Sequence, residues 1–103
     1  MEIGQPFTCG TWIVMTGKED EFITRWKEFV GWTHANAEGA ERFLLVRDAA
    51  EPSHFLSFGA WRSQEAITTW RASQEFQELL GRCRELCEDF RATDHILAAG
   101  VET

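Results

Sequence analysis

Two hydrophobic periodicities alternate along the chain. Phe7 to Met15 (Phe-Thr-Cys-Gly-Thr-Trp-Ile-Val-Met) is rich in strand formers and has no helical period. In a strand, Phe7, Cys9, Thr11, Ile13 and Met15 share one face, and Thr8, Gly10, Trp12 and Val14 share the other. Thr16-Gly17 ends that run. From about Lys18 to Ala37 the apolar residues Phe22, Ile23, Trp26, Phe29, Val30 and Ala37 fall on one helical stripe. Glu19, Asp20 and Glu21 in the first turn suit the helix dipole. Trp32 lies off the stripe, which predicts that it faces solvent, a partner subunit or the rim of a cleft. Glu38-Gly39 breaks the helix. Arg42–Ala50 and Ser53–Trp61 then read as two strands, and the short Glu51-Pro52 connection makes them an antiparallel hairpin. Ser63 is positioned to cap a short helix carrying Ala66, Ile67 and Trp70, and Ser73 to cap a longer one. The stripe Phe76, Leu79, Leu80, Cys83, Leu86, Cys87 and Phe90 extends that longer helix to about Arg91. Thr93–Val101 reads as a closing strand.

The order is β-α-β-β-α-β with the second α divided, the α+β, ferredoxin-like arrangement of a four-stranded antiparallel sheet with helices on one face. A chain of 103 residues is a single domain, 1–103, with its core from about 7 to 101. The first and third strands carry apolar residues on both faces. The sheet face without helices therefore calls for a cover, and a second copy of the chain supplies one economically.

Charge and cysteine usage narrow the function classes. Ten Lys+Arg against seventeen Asp+Glu leave a net charge of −7, which opposes binding to nucleic acid or an anionic membrane surface. No apolar run approaches the roughly 20 residues that a membrane span needs. The opening Met-Glu-Ile-Gly-Gln-Pro lacks the basic and apolar regions of a secretory signal, so the expected location is the cytoplasm. Cys83 and Cys87, four apart on one expected helix, have poor geometry for a disulfide, and no Cys/His spacing matches a structural zinc site. Buried, reduced thiols and no bound metal follow. Five Trp and eight Phe with no Tyr exceed what a small core needs, so the surplus lines a pocket, an interface or both.

Several segments resemble the antibiotic-biosynthesis-monooxygenase family. They are Gly17-Lys18-Glu19-Asp20-Glu21-Phe22 after the first strand, Glu51-Pro52-Ser53-His54-Phe55 in the hairpin, and Trp61-Arg62-Ser63-Gln64-Glu65-Ala66 followed by Trp70, Ser73 and Phe76. Their order and spacing span about Phe7 to Val101. The resemblance implies a dimeric α/β barrel, in which two sheets pack together and each subunit keeps a cleft between its own sheet and helices. It also implies cofactor-independent oxidation of a flat aromatic or phenolic molecule with O₂. Haem-degrading relatives use an Asn on the first strand, a Trp on the short helix and a His on the long helix. Here those positions fall on Gly10, Trp70 and Leu80, and only the Trp is kept. Leu cannot ligate iron and Gly offers no donor, so haem degradation is disfavoured and no cofactor is expected.

Under that resemblance Trp70 is the candidate catalytic residue, with an indole that can stack on a flat ligand and offer its N–H. Its stripe with Ala66 and Ile67 equally suits core packing. His34, near the end of the first helix, is the candidate acid or base, because imidazole titrates near neutrality. His54 and His95 are scattered and read as surface or structural residues. Arg47 on the second strand can bind an anionic group but equally suits an exposed ion pair. Candidate substrate-binding residues are Phe22 and Trp26 on the first helix, Cys9 and Thr11 on the first strand, and Leu80 on the long helix. The face of the first strand that meets the helices lines the cleft. Three functions compete: a cofactor-free monooxygenase, a dimeric carrier of a hydrophobic small molecule, and a purely structural dimer.

Overall fold

The computed structural model describes residues 2–101. Strand β1 (Pro6–Val14) is followed by helix α1 (Glu19–Asn36), the hairpin β2 (Ala40–Arg47) and β3 (His54–Trp61), helices α2 (Gln64–Arg71) and α3 (Gln74–Arg84), and β4 (Cys87–Ile96). The sheet order is β2-β3-β1-β4 and every neighbouring pair is antiparallel. The expected α+β, ferredoxin-like architecture is therefore the observed one.

Both expected serine caps form. The Ser63 hydroxyl accepts the Ala66 N–H at 3.2 Å, and the Ser73 hydroxyl accepts the Phe76 N–H at 3.2 Å. Each satisfies an amide that the first helical turn leaves without a partner.

The end of the chain departs from the sequence expectation. Helix α3 stops at Arg84 rather than near Arg91, and β4 runs from Cys87 to Ile96 rather than from Thr93 to Val101. Leu86, Cys87 and Phe90 are spaced as a helical stripe would space them. In the structure they sit in the turn and strand, where Phe90 stacks on Trp12 with ring centroids 4.0 Å apart. Pairing decides the matter: β1 needs a partner along its whole outer edge, and β4 matches it from Pro6↔Ile96 to Val14↔Cys87. Cys83 and Cys87 thus belong to different elements. All three thiols are free, and the Cys87 thiol lies 3.4 Å from the Cys83 carbonyl oxygen. Burial pushes the Cys83 thiol up to about 12 and Cys87 to about 11. Strand β2 likewise starts and stops earlier than expected, ending before Asp48, whose carboxylate accepts the amides of Ala50 and Glu51.

On the helix-covered face, Trp12, Val14, Phe55 and Trp61 are almost fully buried against Phe22 of α1 and Ile67 of α2. The opposite face carries Leu44, Val46, Leu56 and Phe58, which are 37–48% exposed. Cys9 and Thr11 alternate with buried Trp12, so their side chains lie on this uncovered face. Among the described residues no helix is long and apolar enough to cross a membrane.

Gly39 closes α1 onto β2 with φ +89°, a region in which side chains are strained, and a Cβ there would stand 2.8 Å from Ala66 Cβ. Gly39→Ala should lower stability by roughly 1–3 kcal/mol, read as a reduced melting temperature. An unchanged melting temperature would show that the α1–β2 turn has slack.

Candidate functional site

An apolar cavity of about 80 Å³ lies between the central strands and the helices. Its floor is the β1–β3 pair. Its walls come from Trp26 and Phe29 on α1, Trp70 on α2, Phe76 and Leu80 on α3, and Phe90 on β4. The volume is below the ~300 Å³ at which pockets begin to enclose a drug-sized ligand, so a polycyclic guest needs side chains at the mouth to move aside.

The floor depends on two glycines. In the antiparallel register Gly10 faces Ser57 and Gly59 faces Thr8. A Cβ on Gly10 would stand 2.7 Å from Ser57 Oγ and 2.8 Å from Trp12 Nε1. One on Gly59 would stand 2.6 Å from the Phe43 ring and 2.7 Å from Thr8 Oγ1. Neither position takes a side chain unless its neighbours shift. The two hydroxyls occupy the space that the missing Cβ atoms leave and engage indoles of the opposite strands: Trp12 Nε1 donates to Ser57 Oγ at 3.0 Å, and Trp61 Nε1 donates to Thr8 Oγ1 at 3.1 Å.

A third indole follows the same rule. Trp70 Nε1 donates to the fully buried Thr33 Oγ1 at 2.9 Å. The expectation that Trp70 offers its N–H to a ligand is therefore corrected, because Thr33 already holds it. The ring is packed by Trp61, Phe76 and Phe29, with centroids 4.7, 4.5 and 5.7 Å away. One face still lines the inner cavity. The ring also borders a separate groove of about 560 Å³ beside Trp32, Asn36 and Arg62. The smaller cavity is the better candidate site, since its walls are aromatic and its polar atoms converge, whereas the groove is lined by the exposed charged residues Glu38, Arg62 and Glu65.

Arg71 is the one permanently charged residue lining the cavity among those described. Its guanidinium makes a fork to Asp94, at 2.6 and 2.8 Å, joining α2 to β4. That pairing holds the Asp94 carboxyl below the usual carboxylate range, and both side chains remain partly exposed.

The sequence-predicted residues divide clearly. Trp26, Trp70 and Leu80 meet at the cavity. Cys9 borders it from β1 with its side chain on the uncovered sheet face, where Thr11 is exposed. Phe22 is sealed in the core against Trp12 and Phe55, outside the cavity lining. His34 is exposed near the end of α1, away from the lining. His54 pairs with Glu51 at 3.0 Å, and His95 lies 2.8 Å from Thr93 Oγ1. Arg47 sits over the Phe55 ring at 4.8 Å, outside this cavity. Thr8, Ser57, Gly10, Gly59 and Arg71 complete the site; of these the sequence singles out only Gly10, as the position of the haem-degrading relatives' Asn. A signal for four of them is present: Thr8-Cys9-Gly10-Thr11-Trp12 and Ser57-Phe58-Gly59-Ala60-Trp61 repeat one pattern, hydroxyl-x-Gly-x-Trp.

A haem fits this lining poorly. Leu80 has no ligating atom, and Gly10 cannot gain a side chain without displacing Ser57 or Trp12. Among the described residues no cluster of three His, Cys, Asp or Glu side chains could hold a metal ion.

Because Thr33 is fully buried, Trp70→Phe leaves its hydroxyl without the indole donor and removes ring area from the cavity wall. We expect a stability loss of about 1–3 kcal/mol by chemical denaturation, more than a volume-conserving swap alone would cause. Restoring apolar complementarity with Trp70→Phe/Thr33→Val should recover part of that loss. A single variant as stable as the parent would contradict the role given to this bond.

Comparison with known proteins fits this geometry. The fold aligns over 97% of this chain and 99% of the other with a structure of SnoaB, a cofactor-independent oxygenase from Streptomyces nogalater, at TM-score 0.88 and 15% identity. A crystal structure described as a putative antibiotic biosynthesis monooxygenase from Bordetella bronchiseptica aligns at TM-score 0.81 and 17% identity, over 93% and 99% of the two chains. One from Deinococcus radiodurans, described in the same words, aligns at 0.81 and 17% over 95% and 97%. No curated protein sequence matches the chain significantly. The sequence profile described as "Antibiotic biosynthesis monooxygenase" matches residues 11–82, most of the chain, and the protein belongs to that family.

Proposed function

We propose that the protein is a cofactor-independent monooxygenase that oxidises a flat phenolic or anthrone-like molecule with O₂, working as a homodimer in the cytoplasm. The observation that carries this reading is the aromatic-walled cavity between the β1–β3 floor and the helices, in a member of a monooxygenase family whose fold is shared with a cofactor-independent oxygenase. Such chemistry asks little of the protein. An anthrone methylene gives up a proton to solvent at the cavity mouth to leave an electron-rich anion, and that anion reduces O₂ directly. Carbon–oxygen bond formation gives a hydroperoxide. Loss of water leaves the new carbonyl, so one O₂ is consumed and one quinone and one water are formed.

The cavity supplies orientation and exclusion of water through Trp26, Trp70 and Leu80. Arg71 also borders the lining, with its charge offset by the fork to Asp94. A second reading, a carrier that binds such a molecule without turnover, is favoured by one specific observation: no carboxylate or imidazole lines the cavity among the described residues. Oxygen uptake with anthrone separates the two. The enzyme reading predicts stoichiometric O₂ loss and growth of quinone absorbance well above the spontaneous rate. Tight binding at the spontaneous rate would identify a carrier.

The homodimer is proposed through the uncovered sheet face. Leu44, Val46, Leu56 and Phe58 form an exposed apolar surface there, and a second copy would bury it in an interface of roughly 2,000 Å² or more. Light scattering at micromolar concentration should give twice the chain mass, and Phe58→Glu should shift it toward the monomer. A monomeric parent protein would rule out this assembly.

A further inference from the structure

The repeated hydroxyl-x-Gly-x-Trp pattern on β1 and β3 has a consequence for the ligand. The strands are antiparallel, with Cys9 opposite Phe58, so the two copies are related by a local two-fold axis through that pair. Thr8 faces Gly59 and Ser57 faces Gly10. Each hydroxyl takes the N–H of the tryptophan carried by the opposite strand. An indole N–H can only donate. Ser57 Oγ and Thr8 Oγ1 must therefore accept in these bonds, and each keeps its own O–H proton for another partner. Among the described residues neither hydroxyl donates to a protein acceptor, and both border the cavity.

We infer that Thr8 and Ser57 form a two-donor floor that selects ring ligands bearing a carbonyl or phenolate oxygen, with Trp12 and Trp61 as the residues that position the two donors. This rests on the cavity reading above and deepens it by naming the ligand group that the floor recognises. The glycines are part of the device. With no Cβ at Gly10 or Gly59, the Ser57 and Thr8 hydroxyls settle into the space beside the strand backbone, together with the Trp12 indole edge and the Phe43 ring, so that each hydroxyl is held at the cavity floor. The oxygen that a donor serves in the ground state gains negative charge when the ring is deprotonated, so the same hydroxyls favour the anion. Cross-strand diagonal neighbours lie roughly 7 Å apart at their Cα atoms, which places the donors toward opposite edges of one ring system.

The test compares anthrone with 9,10-dihydroanthracene, the same tricycle without the oxygen, under anaerobic conditions by tryptophan quenching. The parent should bind anthrone more tightly. Thr8→Val and Ser57→Ala, tested separately, should each weaken anthrone binding by roughly tenfold and leave dihydroanthracene within twofold. Thr8→Ser should restore the preference, since it restores the hydroxyl. Should one variant lack a cooperative melt, the other decides. The infrared carbonyl band of bound anthrone gives a readout on the parent protein alone and should shift to lower wavenumber than in hydrocarbon solvent. The inference is overturned if both ligands weaken equally, if neither changes, if the carbonyl band does not shift, or if the parent binds neither ligand. Selective anthrone binding without oxygen uptake would leave the two-donor floor standing and reject the monooxygenase reading.

Discussion

Burying indoles without stranding their N–H groups is the constraint around which this small domain is organised. Four tryptophans, Trp12, Trp26, Trp61 and Trp70, are at most 8% exposed, and three of them, Trp12, Trp61 and Trp70, donate the N–H to a Ser or Thr hydroxyl. An unpartnered buried donor costs about 1–3 kcal/mol, a large share of the stability of a domain this size. The three hydroxyls tie α2 to α1 through Thr33, and β1 to β3 in both directions through Thr8 and Ser57. The polar bonds thus fix where the largest rings sit, and the rings in turn set the shape of the space between them. No buried side-chain polar atom is left unpartnered among the described residues.

The cavity follows from that packing. Two glycines on adjacent strands let the Ser57 and Thr8 hydroxyls and the Trp12 and Phe43 rings pack down on the sheet, and Trp26, Trp70 and Phe76 stand over that floor. The result is an aromatic space with a few directed hydrogen-bond donors and the Arg71–Asp94 ion pair at its edge. Arg71 is held by Asp94 in a partly exposed fork. The depressed carboxyl pKa of Asp94 means that this link contributes at neutral pH and is lost as pH falls through its folded-state value, below the ordinary aspartate range. With both partners partly exposed, its effect on global stability is small. Its more direct role is to hold the end of α2 against β4 beside the cavity.

Much of this architecture was legible in the sequence. Ser63 and Ser73 marked the starts of α2 and α3, Glu51-Pro52 marked the hairpin, and the alternation around Trp12 marked β1. The α3–β4 boundary was not legible, because Leu86, Cys87 and Phe90 satisfy a helical spacing as well as their true setting, and only the demand of β1 for a partner strand separates the two. At the site, Trp26, Trp70 and Leu80 could be anticipated. Cys9 and Thr11 could not be assigned to a face until Trp12 was seen to take the helix side. Thr8 and Ser57 escaped notice for a physical reason: a lone hydroxyl residue in a strand carries no functional signal until the register brings it beneath an indole. The repeated hydroxyl-x-Gly-x-Trp spacing was the available clue, and its meaning depends on the antiparallel pairing of the two copies.

The central claim is that an oxygen-bearing flat ring lies between the β1–β3 floor and the helices. A crystal structure of the protein with anthrone bound anaerobically tests this most directly. The account predicts a ring over that floor against Trp26 and Trp70, with its oxygen within hydrogen-bond distance of Thr8 Oγ1 or Ser57 Oγ. A ligand seated instead in the outer groove beside Trp32, or on the uncovered sheet face over Leu56 and Phe58, would contradict it.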